Sequence, residues 1–113
     1  MSIGYIYVRT NKAWDMYDAV KLGITYNIFE RNREYMSLEI MKGVFELIIE
    51  IDQNILTNVK KSIKKYFNSL DLHIKYDDGG NDFYKKDIVD LVIPYLVEHN
   101  IKHKTLSTTE IFN

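Results

Sequence analysis

Tyr5 and Tyr7 stand two apart in IGYIYVRT, Arg31 and Tyr35 stand four apart within FERNREY, and Lys60, Lys61, Lys64 and Lys65 crowd the stretch NVKKSIKKYF. On a strand the side-chain period is two, so both tyrosines face one way; on a helix residues four apart are neighbours, so Arg31 and Tyr35 share a face. A phenol, a guanidinium and several ammoniums are groups that phosphodiester chemistry can use. Hydrolysis needs a water or hydroxyl in line with the leaving oxygen, a proton acceptor, and positive charge beside the phosphorus as it becomes pentacovalent. Arginine offers a permanently charged fork that takes a phosphate in two hydrogen bonds, which lysine does less well. Each set also has a plain structural reading. The tyrosines can pack a core, Arg31 and Arg33 can lace to Glu30 and Glu34 on a wet helix face, and the lysines can be the solvated side of an amphipathic helix.

The elements that must position these residues follow from periodicity. Residues 3–10 alternate and are rich in β-branched and aromatic side chains, which predicts a strand; AVKLGIT predicts a second, ending at Thr25, and the loop between them suggests an antiparallel pair. From Tyr26 to Met41 the apolar spacing predicts a helix, with Asn27 as N-cap and Glu30 closing a capping box. Gly43 ends that region and VFELIIEI predicts a third strand. Ile55, Leu56, Val59, Ile63, Tyr66, Phe67 and Leu70 recur at helical spacing with the lysines opposite, the clearest helix in the chain. A turn cluster at 77–81 leads to KKDIVDLVIPYLVEHN, a helical pattern that Pro94 must kink or divide. The expected fold is α+β: a small three-stranded antiparallel sheet flanked by helices, residues 1–113 forming one domain.

Composition narrows the partners. With 46% apolar and 27% charged residues the chain is neither disordered in character nor membrane-like, and no segment reaches the roughly 20 apolar residues of a spanning helix. No membrane partner is expected, and with no signal-peptide run at MSIGYIYVRT the expected setting is intracellular. The absence of cysteine leaves only oxygen and imidazole nitrogen for any metal. Fifteen basic against sixteen acidic side chains give a formal charge of −1, so nucleic-acid binding would depend on a local patch. His73, His99 and His103 show no ligand spacing except the 99/103 pair at a helix end and read as surface residues, and DDGGND lacks the alternating oxygens and closing glutamate of a calcium loop. Met36, Leu38, Ile40 and Met41, if exposed, would offer a face for a homodimer.

GYIYV on the first strand, KLGIT on the second, and Arg31 followed by Tyr35 on the next helix resemble the GIY-YIG nuclease superfamily, in the branch that writes its second signature K-[IL]-G-x-T. Gly4, Ile6 and Tyr7 match the first motif; Lys21, Leu22, Gly23 and Thr25 match the second. The later run YFNSL, GGNDFYKKDI and VIPYL resembles the same branch, as found at the N-terminus of larger proteins of large DNA viruses, and the resemblance spans roughly residues 3 to 98. It implies a DNA endonuclease domain, within a longer protein, that uses one divalent cation, Mg²⁺ or Mn²⁺. Tyr7 would orient or deprotonate the attacking water, Lys21 would stand where most members have a second tyrosine, Arg31 would clamp the phosphate, and Tyr35 would hydrogen-bond water or phosphate. Arg33, Lys60 and Lys64 are the expected DNA-backbone contacts.

One position departs from the pattern. The family's metal-binding glutamate lies about seven residues before an aromatic like Phe67, and counting back reaches Lys60. An ammonium cannot ligate a hard cation, which demands oxygen donors. Three accounts stay open: a disabling Glu→Lys change that lets uncut DNA bind, an ammonium in the metal's place, or a domain that has lost cutting and kept binding. In a shifted alignment Asp82 or Asp52 would be the ligand. The alternative function is therefore a non-catalytic DNA-binding or assembly module on the same scaffold.

Overall fold

The computed structural model describes residues 2–75 and 82–112. Its core is three long strands: β1 (Ile3–Thr10), β2 (Ala19–Thr25) and β3 (Val44–Asp52). β1 lies between β2 and β3, antiparallel to both, with Tyr7 opposite Gly23 on one side and Ile48 on the other. The α+β class is as expected, but the sheet has six strands, not three, in the order β4-β5-β2-β1-β3-β6. The added strands are β4 (His73–Ile74), β5 (Phe83–Lys85) and β6 (Lys104–Leu106), all antiparallel to their neighbours. They are two or three residues long, too short to show a period of two, and they form because β2 and β3 would otherwise present open edges.

Alternation along β1 divides the molecule into layers. Ile6 and Val8 point to one face, where Val20, Leu22, Ile49 and Ile51 join Leu56, Val59, Ile63 and Phe67 of α2 (Leu56–Ser69) and Val92, Tyr95 and Leu96 of α3 (Val92–Glu98). Tyr5 and Tyr7 point to the other, packing with Ile48, Phe45, Ile28 and Tyr35 of α1 (Ile28–Leu38), and Ile111 and Phe112 of α4 (Thr108–Phe112). Between Val8 and Arg9 the β1–β3 register slips so that Arg9 pairs with Phe45. This irregularity brings the Phe45 ring onto the tyrosine face.

The expected capping box is half formed. Asn27 accepts from the Glu30 amide at 3.0 Å, but its own N–H goes to the Thr25 hydroxyl at 3.2 Å, which makes the reciprocal Glu30 bond unnecessary. Pro94 divides the last helical pattern: a 3₁₀ turn covers Lys86–Asp90, and Pro94 then sits in the first turn of α3, where a missing N–H costs no intrahelical bond. The turn cluster expected at 77–81 lies outside the described residues. Met36, Leu38, Ile40 and Met41 are exposed. Among the described residues no helix is long and apolar enough to cross a membrane.

Candidate functional site

β1 and α1 bring three of the singled-out side chains together. The Tyr7 and Tyr35 hydroxyls are 2.8 Å apart, and Arg31 Nη1 donates to the Tyr7 oxygen at 3.2 Å. The helical spacing of Arg31 and Tyr35 makes this possible, since both must leave α1 on the face laid against β1. Gly23 supplies the room. A Cβ there would lie 2.3 Å from the Tyr7 oxygen, so the phenol crosses β2 only because its cross-strand partner has no side chain.

Tyr7 is only 1% exposed, so its hydroxyl meets Arg31 and Tyr35 rather than solvent; Arg31 is the member of the trio at the surface. Burial opposes the Arg31 charge, but Tyr7 and Glu34 outweigh it and the guanidinium is held more firmly protonated than usual. Burial, followed by the neighbouring Tyr7, pushes the Tyr35 phenol far above its ordinary value, so it stays neutral and serves as a hydrogen-bonding group rather than a base. Lys21 lies on β2 two residues before Gly23, the cross-strand partner of Tyr7. Its Nζ stands over the ring faces of Tyr35 at 5.4 Å and Phe83 at 5.6 Å, because β2 turns it toward the neighbouring strand β5. Arg33 is exposed on α1.

The lysines of α2 are not all a wet face. Lys60 and Lys64, four apart, both reach Asp82 Oδ1, at 3.4 and 3.2 Å, and are half-buried; Lys61 and Lys65 are exposed. Burial, with the like charges of Lys64 and Arg31, holds the Lys60 ammonium below its usual pKa against the pull of Asp82. Burial acts against Asp82 ionisation, but Lys60 and Lys64 outweigh it and the carboxylate is held below its ordinary range. Asp82 is thus the lysines' counter-ion. A divalent cation there would have to displace two ammoniums from one carboxylate, so these residues do not fit a metal ion. Asp52 is engaged as a turn cap, accepting from the Asn54 amide at 2.9 Å. Among the described residues no three His, Asp or Glu side chains come together as ligands. The 99/103 histidine pair lies beyond the end of α3, with Nδ1 of each ring bonded to a backbone carbonyl, Tyr95 and Ile101 respectively.

Sequence reasoning missed Arg9, a fully buried cation directly behind the trio. Its guanidinium lies 4.4 Å from the centre of the Tyr35 ring and 4.7 Å from that of Phe45, and pairs with Glu39 through Nη2–Oε1 at 2.6 Å and Nε–Oε2 at 3.1 Å. The Gly43 carbonyl and the Asn32 side chain complete its hydrogen bonds. The signal was parity: Arg9 continues the Tyr5, Tyr7 series, so on a regular strand it shares their covered face.

Comparison with protein-family models, with curated proteins and with solved structures gave no match.

Proposed function

We propose that this chain is a DNA-binding domain of the GIY-YIG nuclease type, which holds a phosphodiester at Arg31 and, with lysine at position 60, does not cut it by metal-assisted hydrolysis. One observation carries the reading: a tyrosine of the first strand and a guanidinium of the first helix, 24 residues apart in sequence, meet at 3.2 Å. In this account Arg31 touches the phosphate. Tyr7 and Tyr35 are positioning residues that orient its fork from beneath, and Arg9 fixes the Tyr35 ring. Lys60 and Lys64 add backbone contacts at reduced strength, because Asp82 already neutralises part of their charge.

Competence for hydrolysis is the second reading, favoured by Asp82: a glutamate at position 60 would set a second carboxylate beside it in place of an ion pair. Nicking of supercoiled DNA with Mg²⁺ or Mn²⁺, for the chain as it is and for Lys60→Glu, decides between them. Binding without nicking by the unaltered chain supports the proposal. Nicking by the unaltered chain overturns it, and nicking gained only with Lys60→Glu identifies position 60 as a metal ligand lost.

A further inference from the structure

A pocket of about 280 Å³ opens beside Arg31, where β2 hands over to α1. Half-buried Ile24 and the 58% exposed Tyr26 give it apolar surface above the fully buried Leu56, and Arg31 with Glu30 and Glu34 lines its wall. Glu30 and Glu34 are four apart on α1 and so project along one side. An apolar floor, a free aromatic face and two carboxylates, adjoining a guanidinium already assigned to phosphate, make a combination that a phosphate alone does not require. Carboxylates repel the backbone, while an aromatic face and an apolar floor match a base. Among the described residues the buried Arg31 Nε makes no hydrogen bond, and its ion-pair partner Glu34 Oε2 stands 3.6 Å away.

We infer that this pocket receives one unstacked nucleobase next to the phosphate held by Arg31, and that it selects guanine. The inference rests on the phosphate-binding reading and names what lies beside that phosphate. Ionised carboxylates only accept hydrogen bonds, so they favour the base edge richest in donors. Guanine presents N1–H and the N2 amino group side by side, which one carboxylate takes in two parallel bonds. Thymine offers a single N–H flanked by two carbonyls that both glutamates repel. Adenine and cytosine each pair a donor with an acceptor that has no partner on a carboxylate. The base must be out of the stack, so the substrate is single-stranded or frayed DNA.

Fluorescence anisotropy with labelled oligothymidylate, and with the same strand carrying one central guanine or one inosine, tests this. The guanine strand should bind about tenfold more tightly than plain oligothymidylate, near the low end expected for one bidentate base contact, with inosine, which lacks the N2 amino group, in between. In Glu30→Gln/Glu34→Gln the guanine advantage should vanish while oligothymidylate binding is kept or strengthened, since two repelling charges are gone. Equal binding of all three strands by the unaltered chain overturns the base pocket and leaves the phosphate reading intact. A guanine preference that survives in the double variant places the selectivity elsewhere and also overturns it. Failure of every strand to bind at low salt overturns the phosphate reading and the pocket together.

Discussion

At the scale of single residues, hydroxyl groups separate groups serving the site from groups serving only the core. The Tyr7 hydroxyl has two partners, whereas the Tyr84 hydroxyl is buried with none among the described residues, and burial, with Asp82 nearby, pushes it up to about 12. An orphaned buried hydroxyl pays desolvation without return. Tyr84→Phe should therefore leave stability unchanged or raise it by up to about 1 kcal/mol, whereas Tyr7→Phe should lower it by about 1–3 kcal/mol by stranding Arg31 and Tyr35. Urea titrations of the two variants check the opposite signs. Gly23→Ala should mimic Tyr7→Phe by a different route, because the new Cβ lies 2.3 Å from a phenol that its packing gives no space to move.

At the scale of elements, the Arg9–Glu39 pair fastens the middle of the sheet to the residue that ends α1, and Asn11 and the Gly43 amide also bond Glu39. Glu39's burial acts to raise its pKa, but the bonds from Arg9, Gly43 and Asn11 outweigh it and hold the carboxyl below its usual range. A depressed carboxylate pKa contributes stability that is whole above the unfolded value, near 4.3, and is lost as pH falls through the folded value. Asp82 has the same sign. Stability should be level between about pH 6 and 5 and fall below about pH 4.3, with a shallower fall in Glu39→Gln, read as urea midpoints across pH. Glu39→Gln should also cost about 3 kcal/mol at neutral pH, since it leaves Arg9 buried without a counter-charge.

The elements also mark where sequence was legible. β1, β2, β3, α1 and α2 carry enough residues for a period of two or 3.6 to show, and the parity of Tyr5 and Tyr7 and the helical spacing of Arg31 and Tyr35 were readable for the same reason. The two- and three-residue edge strands were not, because they are fixed by the open edges they meet and not by their own pattern. Two features of the site escaped for a similar cause. The partners Glu39 for Arg9 and Asp82 for Lys60 lie 30 and 22 residues away along the chain, and only the fold brings them close. The burial of Tyr7 needed α1 laid across it, which no local pattern encodes.

At the scale of the whole molecule, a formal charge of −1 means that any grip on DNA is local: Arg31 and Arg33 on α1, and the α2 lysines shared with Asp82. Few phosphates are then contacted, so the logarithm of affinity should fall only gently with the logarithm of salt, with a slope of about −2 to −3. Lys60→Gln and Lys64→Gln should each flatten it by less than one, because each removes a charge already partly neutralised. Arg31 is paired with Glu34 at 3.6 Å from its Nε, but that carboxylate is 55% exposed and solvent screens the pair. The most direct measurement is thus the salt-dependent DNA affinity of Arg31→Met against the unaltered chain, with circular dichroism to show that both are folded. The account predicts binding weaker by about tenfold at low salt and a slope reduced by about one. Unchanged affinity and slope in a folded Arg31→Met protein would contradict it.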